Sequence, residues 1–586
     1  MRKREHYMIK AENLSYSFPD KDLYNNITFN LIEGEHCAFI GTSGSGKSTL
    51  VQMIQDPEKY MYDGKLEITP NCRIGYVSQF SQMDSSNNMT VFEYIGEEFL
   101  RLQKEITSIC NDMETATDLE PLLEKYQQTL DAYDAIGGDD YESIINKKLG
   151  LANLSKHENL MVSLLSGGEF KLIQVIKEML TNPDLIIMDE PDAFLDFENL
   201  NSLKNLINAH KGTMLVITHN RYLLNHCFNK ILHLENKELQ EFGGRYIEYN
   251  FALLQQKIEL QELAAADEEE IKRNEAIVEK LRGIATVFTD ASKGRSLKAR
   301  VSLLERLEAR KIKAPFVDIK QPNIKLTTNA DVTQGYVLKV KDYAVSFEDV
   351  LLEDVTFEIG STDKVALIGA NGTGKTTLLR DIYKNNHKSI EINEDTKVAF
   401  LSQLQGEMLN ESNTIAEEFF ECGFQTYDEI KNHILDYGFD EKVLDQKIGA
   451  LSGGEKNILQ LAKVAISNAN LLLLDEPTSH LDTYSQIALE KAIKDYNGAV
   501  LMISHDFYTI VNCVDYVLMI EDKTIRKMSM RKFRKMIYAT HFDKNYLEAE
   551  QKKNEVESKV TMALKDNDFE NAKILSEELE KLITML

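Results

Sequence analysis

The chain has little with which to build a disulfide frame, a cysteine-based metal centre or a membrane anchor. Its six cysteines (Cys37, Cys72, Cys110, Cys227, Cys422 and Cys513) are scattered, without the paired spacing that zinc, an iron–sulfur cluster or a disulfide frame requires. A reduced, cytoplasmic compartment follows. No run of about 18 apolar residues occurs, so no membrane-spanning segment is expected. The basic start, Met1-Arg-Lys-Arg-Glu-His6, leads into mixed sequence and not into the apolar stretch of a signal peptide. Positive charge is also short, with 67 Lys and Arg against 94 Asp and Glu and a net charge of −27. That balance excludes whole-surface attraction to nucleic acid or anionic lipid, and leaves such contact to a local patch. With 586 residues, 43% hydrophobic and 27% charged, the chain is globular and too long for one core. Three or four domains or subdomains are expected.

What the chain does contain is a repeat. Gly41-Thr-Ser-Gly-Ser-Gly-Lys-Ser-Thr49 and Gly369-Ala-Asn-Gly-Thr-Gly-Lys-Thr-Thr377 each follow a short apolar run and lead into Leu-rich sequence, the context of strand, glycine loop and helix. Such loops bring backbone N–H groups to phosphate oxygens at a helix N-terminus, and Lys47 or Lys375 neutralises the terminal phosphates. Gly41, Ser43, Gly44, Gly46, Lys47, Ser48 and Thr49 are therefore candidate nucleotide ligands. Gly369, Asn371, Gly372, Gly374, Lys375, Thr376 and Thr377 are their counterparts, and Ser48 and Thr376 offer a hydroxyl to magnesium. The same signals then follow in the same order. They are Gln79 and Gln403 after a strand; Leu165-Ser-Gly-Gly-Glu169 and Leu451-Ser-Gly-Gly-Glu455; Leu185-Ile-Ile-Met-Asp-Glu-Pro191 and Leu471-Leu-Leu-Leu-Asp-Glu-Pro477; and His219 and His505 at the ends of apolar strands. Asp189 and Asp475 can hold magnesium through water, while Glu190 and Glu476 can position or deprotonate an attacking water. His219 and His505 can hold the γ-phosphate or that water.

Two interruptions separate the repeats. Lys47 lies about 40 residues farther from its Ser-Gly-Gly than Lys375 does. The extra segment, roughly 91–137, places Phe99, Leu100, Leu102, Ile106, Leu122, Leu123 and Leu130 in charged surroundings. This is the pattern of a projecting helical pair, either a solvated decoration or a partner-binding arm. The second interruption joins the halves. Asn250 to Arg282 contains neither Gly nor Pro and predicts a helix of about 50 Å. A second helix is predicted over 296–314, stopped by Pro315, and a loop at 283–294 carries Phe288. Between Lys293 and Lys313, eight basic residues, among them Lys293, Arg295, Lys298 and Arg300, face only Glu305 and Glu308. This local reversal of charge fits a polyanion such as RNA, with Phe288 either stacking at the tip or packing on its own hairpin. After the second repeat, 541–586 reads as two more helices broken near Asp566-Asn-Asp568, a packed or solvated appendage.

These motifs resemble the ATP-binding cassette superfamily. The paired Leu-Ser-Gly-Gly-Glu sequences look like its signature and Gln79 and Gln403 like its Q-loop glutamines, which join Ser48, Asp189, Thr376 and Asp475 as magnesium ligands. The resemblance implies that ATP on Lys47 is covered by Ser452, Gly453 and Gly454, and ATP on Lys375 by Ser166, Gly167 and Gly168. Phe18 and Phe347 stand where the adenine-stacking aromatic is expected, with Tyr16 and Tyr343 near enough to compete. Tandem cassettes joined by a helical hairpin resemble the ABC-F family in particular. The implied organisation is α/β: a first cassette over 8–249 with its arm, a linker over 250–322, a second cassette over 323–540 and a helical extension over 541–586. The implied activity is ATP hydrolysis with Mg2+ by a monomer whose cassettes pair within the chain. The implied partner is the ribosome: the ATP-bound protein occupies the tRNA exit site and extends its linker along 23S rRNA toward P-site tRNA and the peptidyl-transferase centre. Antibiotic resistance by ribosomal protection is the expected role, with housekeeping action on stalled or starting ribosomes as the alternative and an ATPase subunit of a membrane importer as the alternative of another class.

The halves depart unequally from the family pattern. Where the family writes Pro-Thr-Asn-His-Leu-Asp, the second half has Pro477-Thr-Ser-His-Leu-Asp482 and the first has Pro191-Asp-Ala-Phe-Leu-Asp196. The Arg common three residues after the signature Glu is Leu172 in one half and Ile458 in the other. Both sites are expected to hydrolyse ATP, at unequal rates.

Overall fold

The computed structural model describes residues 6–18, 22–79, 88–116, 118–193, 195–285, 301, 322–328, 335–346, 350–541 and 546–584. The chain divides into two compact units. One comprises Met1–Arg245 with Lys320–Met536, and the other Tyr246–Ile319 with Ile537–Leu586.

In the first unit the sequence repeat becomes a structural repeat. Each half has a six-stranded sheet of five parallel strands with one antiparallel edge. In the first half the order is Ile74–Val77, Leu185–Asp189, Thr213–Ile217, His36–Gly41, Lys230–Glu235 and Glu238–Gly243. In the second it is Val398–Leu401, Leu471–Asp475, Ala499–Ile503, Lys364–Ile368, Tyr516–Glu521 and Thr524–Ser529. The inner strands are apolar throughout because both faces of a parallel sheet are covered; Leu185–Asp189 and Leu471–Asp475 are buried along their whole length. A three-stranded antiparallel sheet completes each half, built on Tyr7–Ser17 and Tyr336–Ser346. These sheets share hydrophobic cores with the helices that follow the glycine loops, through Leu50 and Val51 in one half and Leu378 and Leu379 in the other. The topology brings the C-terminal ends of the parallel strands, at Gly41, Asp189 and Ile217, to one edge, where ligands bind in such sheets.

The expected arm is helical. Val91–Ile95 starts on a Thr90/Glu93 capping box, and the antiparallel pair Glu97–Thr115 and Glu120–Ala135 follows. Phe99, Leu102, Ile109 and Tyr133 are buried, but Leu123 is 54% exposed and lies off the packed face. Tyr133 accepts from Gln103 at 2.8 Å and donates to the Gly138 carbonyl at 2.7 Å, closing the base of the pair.

The second unit contains a 40-residue helix, Tyr246–Ala285, longer than the predicted segment and about 60 Å long. Tyr546–Lys565 and Phe569–Ile583 pack against it through a core that joins Ile247, Phe251 and Ile258 to Val556, Val560, Ala572 and Leu579. Lys573 adds an ion pair to Glu262 at 2.6 Å. The break between the C-terminal helices falls at the expected place. Asn567 has φ +56°, the Asp568 N–H returns to the Ala563 carbonyl at 2.8 Å, and the Asp568 side chain caps the next helix. The predicted basic helix and the loop with Phe288, Lys293, Arg295, Lys298 and Arg300 lie outside the described residues. No helix among the described residues is long and apolar enough to cross a membrane.

Candidate active site

Both glycine loops wrap a buried lysine. Lys47 donates to the Gly41 and Thr42 carbonyls at 2.9 Å each, and Lys375 to the Gly369 and Ala370 carbonyls at 2.8 Å each. Burial depresses the pKa of both ammonium groups, while Glu190 beside Lys47 and Glu476 beside Lys375 oppose the shift. Gly41 is obligatory, since a Cβ there would stand 2.1 Å from the Leu234 carbonyl oxygen. The helices Lys47–Gln55 and Lys375–Lys384 begin at left-handed Gly46 and Gly374 with no side-chain cap, so their first turns, with Ser48, Thr49, Thr376 and Thr377, face the loops. That is the arrangement for an anion. Tyr24, which sequence reasoning missed, holds the first loop by donating to the Gly46 carbonyl at 2.5 Å.

The Asp-Glu pairs sit at strand ends with the same unusual backbone. Glu190 and Glu476 have φ of +45° and +49°, and their N–H groups bond the Ile217 and Ile503 carbonyls at 2.9 and 3.0 Å. A left-handed glutamate costs conformational energy, and its presence at both sites marks a constraint on where the carboxylate points. Burial raises Asp189, with the Ser48 hydroxyl bonding it and opposing the shift. Asp475 is raised likewise, with the Thr376 hydroxyl beside it opposing the shift, and no well-formed hydrogen bond reaches either of its buried oxygens. One orphaned carboxylate beside one hydroxyl fits magnesium, which binds through one or two carboxylates and takes its other oxygens from phosphate and water.

The two glutamates differ in their surroundings. Glu190 Oε2 accepts from Gln79 Nε2 at 2.5 Å and lies 3.2 Å from His480 Nδ1, a residue of the second half. Burial opposes its charged form, but the His480 hydrogen bond, the neighbouring imidazoles and Lys47 outweigh it and hold the carboxyl at about 2. Glu476 accepts from the His505 N–H at 3.3 Å and lies 3.5 Å from His505 Nε2. Burial and adjacent Asp475 push it up to about 8. Burial, with the nearby lysine, lowers His219 to about 4 and His505 to about 3.

Each half also reaches the other's loop. Ser452 Oγ is 3.2 Å from Ser43 Oγ, and Ser43 N–H donates to Asp482 at 3.2 Å. Asn371 N–H donates to Asp196 at 3.3 Å, and a cavity of about 630 Å³ is lined by Ser166, Gly167 and Gly168 together with Lys375, Gln403, Asp475 and Glu476. The signature helices Gly167–Leu180 and Gly453–Ile466 start on capping boxes, Ser166 with Glu169 and Ser452 with Glu455, and their N-termini face the opposite loop. Gly454 permits the approach, because a Cβ there would lie 2.5 Å from both Ser43 Oγ and the His480 carbonyl oxygen.

Several residues stand elsewhere than expected, or were missed. Phe18 is 41% exposed with its ring edge-on to Tyr16 at 5.3 Å; Tyr343 is fully buried, bonds Asp381 at 2.7 Å, and presents no face to a base. Phe347 lies outside the described residues. Lys171 takes a position where the second half has Asn457. Its ammonium group bonds the Ser78 carbonyl and, at 3.2 Å, that of Gln79. Burial lowers it to about 8 against the pull of Asp192, Asp189 and Glu190. Asn457 instead bonds the Pro477 and Ser479 carbonyls at 3.1 and 2.8 Å. Lys171 and Asp192 thus stand where the second half has neutral Asn457 and Thr478; Asp192 accepts from the Thr218 hydroxyl at 2.6 Å, and burial raises its carboxyl to about 6 against that bond and the pull of Lys171. Arg221 crosses between the halves to Glu490 and to Asp506 at 2.8 Å.

Comparison with known proteins gives this arrangement its relatives. The family model described as ABC transporter matches residues 24–193 and 352–479. ABC transporter F family member 2 of Arabidopsis thaliana is 30% identical over 535 residues, 88% of this chain and 76% of that protein. The energy-dependent translational throttle protein EttA of Escherichia coli (strain K12) is 28% identical over 523 residues, 86% of this chain and 90% of that protein. Among solved structures, the archaeal ribosome recycling factor aABCE1, in complex with the ribosomal stalk protein aP1, aligns with a TM-score of 0.53 and 16% identity over 90% of this chain and 92% of that one, a likeness of fold.

Proposed function

Because the chain belongs to the ABC-F family of ATP-binding cassette ATPases, we propose that it is a cytoplasmic, ribosome-binding clamp closed by two ATP molecules and reopened by their hydrolysis. The observation that carries the clamp is the contact of each signature with the opposite loop, Ser452 on Ser43 and Gly168 beside Asn371. One chain supplies both halves of both sites, so a monomer suffices. Ser48, Gln79 and Asp189 at one site and Thr376, Gln403 and Asp475 at the other would hold Mg2+, which would supply positive charge to the phosphate oxygens. Glu190 and Glu476 orient the attacking water; Glu190 is ionised and takes its proton, while Glu476, pushed up to about 8, takes it in the ionised form that cationic charge at the bound phosphates would favour, and His219 and His505 hold the γ-phosphate side. Signature backbone N–H groups stabilise the charge on the γ-phosphate, and its loss removes the bond between the halves.

On the ribosome, the ATP-bound clamp occupies the tRNA exit site, and its basic linker runs over 23S rRNA toward P-site tRNA and the peptidyl-transferase centre. Family membership and the roughly 60 Å helix Tyr246–Ala285 support this reading. The physiological outcome is resistance by ribosomal protection. The second reading, control of ordinary translation, is favoured by the name of the relative EttA. The test of the clamp is cosedimentation of the Glu190→Gln/Glu476→Gln protein with ribosomes, retained in ATP and released in ADP; absence from ribosomes in ATP overturns it. Growth of a sensitive bacterium expressing the chain, challenged with drugs of the peptidyl-transferase region, separates the two outcomes. Protection supports resistance, and none across the panel assigns the housekeeping role.

A further inference from the structure

The reacting groups of the two sites are duplicated, but the contact that His480 makes is not. His480, in the second half, places Nδ1 3.2 Å from Glu190 Oε2 and 3.4 Å from Gln79 Nε2, both in the first half. The matched position of the first half is Phe194, whose side chain has no hydrogen-bonding atom. His480 is also seated on its own signature. Its φ is +61°, its ring lies 3.3 Å from where a Gly453 Cβ would stand, and its carbonyl oxygen lies 2.5 Å from the corresponding point at Gly454. A histidine held left-handed against two glycines does not reorient alone. It travels with Ser452, which meets Ser43 of the loop around Lys47.

We propose that His480 is a positioning residue in trans for Glu190, delivered with the signature, so that the water-activating carboxylate of the Lys47 site is oriented only when the halves are engaged. With its proton on Nδ1 the imidazole donates to Oε2, the oxygen that also accepts from Gln79. Two donors on one oxygen fix the carboxylate plane and direct Oε1 to the water. The proton taken from water stays on Glu190, and His480 neither gains nor loses one in the step. Displacement of a reacting group by about 1 Å can cost two orders of magnitude, so removal of this anchor acts on turnover and not on ATP capture, which belongs to the loop.

The test rests on the reading that the Lys47 site hydrolyses ATP, and it isolates that site by the Glu476→Gln background. His480→Gly keeps the left-handed backbone and removes the donor; His480→Asn also tolerates that backbone and retains an N–H donor. In the Glu476→Gln protein, His480→Gly is expected to lower kcat by at least tenfold with the KM for ATP within about threefold, and His480→Asn to keep most of kcat. The loss caused by His480→Gly should be at least tenfold greater there than in the Glu190→Gln background, as coupling between two residues requires. Equal losses in both backgrounds, equal losses from Gly and Asn, or an unchanged kcat overturn the assignment. Absence of turnover in Glu476→Gln itself overturns the hydrolytic Lys47 site beneath it.

Discussion

Arg221 offers the most demanding test of how the halves are held together. It follows His219 by two residues, and its guanidinium crosses to Glu490 and to Asp506, the residue after His505. The side chains of Arg221, Glu490 and Asp506 are 12%, 9% and 15% exposed, and Tyr508 packs against the guanidinium at 5.0 Å. The matched position of the second half is Phe507, so the twofold repeat supplies no second copy. Arg221→Met keeps the stem and removes the charge, leaving two carboxylates side by side without their counterion. Breaking a buried pair in this way costs about 3–5 kcal/mol, and partial access of water argues for the lower end. About 3 kcal/mol taken from the engaged state is roughly a 150-fold change in the closing equilibrium. Divided between two ATP molecules that close one clamp, it raises the half-closing ATP concentration about tenfold. Hydrogen exchange over 221–227 and 507–513, in the Glu190→Gln/Glu476→Gln protein titrated with ATP, measures that midpoint. A midpoint within twofold of the parent refutes the reasoning. Adding Glu490→Gln and Asp506→Asn to Arg221→Met should recover most of the loss, because the orphaned charges are then gone; failure to recover refutes the electrostatic cause.

Three further outcomes follow from other parts of the fold. Lys171→Met should destabilise the first cassette by about 2–3 kcal/mol, because it strips a buried cation from beside Asp192, Asp189 and Glu190 and frees the Ser78 and Gln79 carbonyls; denaturant unfolding reads the loss, and adding Asp192→Asn should restore part of it. Burial, with Lys148 and His36 beside it, lowers His210 to about 4. Its neutral form therefore contributes stability that is full above the unfolded pKa of about 6.5 and is lost as pH falls toward 4, about 1 kcal/mol between pH 7 and pH 5 once solvent screening of the half-buried ring is allowed for; His210→Leu should flatten that dependence in unfolding curves taken at the two pH values. Val560 is fully buried in the core formed with the long helix, so Val560→Asp should cost more than about 4 kcal/mol there and make the C-terminal helices sensitive to limited proteolysis, whereas unchanged resistance contradicts that packing.

What was legible in the sequence was local in cause. The glycine loops could be recognised because their backbone conformation and close approach, as at Gly41, exclude side chains, and the strands because Leu185–Met188 and Leu471–Leu474 are apolar on both faces. The break before Asp568 was visible in three small polar residues. The contacts that make the halves unequal were not visible, since they join distant positions: His480 meets Glu190 across 290 residues and Arg221 meets Glu490 across 269. Nothing at either end announces such a partner. Helical spacing in the C-terminal segment likewise predicted a buried face without saying that Ile247, Phe251 and Ile258 would cover it. Tyr343 shows the converse, a plausible adenine platform by position that the fold consumes in its core through Asp381.

The distribution of these single-copy contacts bears on how the clamp works. Lysine, hydroxyl, aspartate, glutamate and histidine occur in both sites, so an inventory of chemical groups makes the sites equivalent. Their environments do not. Burial opposes the charge of both glutamates, but at Glu190 the His480 hydrogen bond, the imidazoles and Lys47 outweigh it and hold the carboxyl at about 2, while at Glu476 burial, with Asp475 adding to it, pushes the carboxyl up to about 8. Lys171 occurs in the first half alone, together with Asp192, and the imidazole of His480 that crosses to the first half corresponds in the sequence repeat to Phe194. Divergence has therefore acted on the residues around the reacting groups and left those groups intact. Inequality of this kind requires both halves to be engaged before it is fully expressed, because its strongest element, the His480 contact with Glu190, exists only across the interface between them.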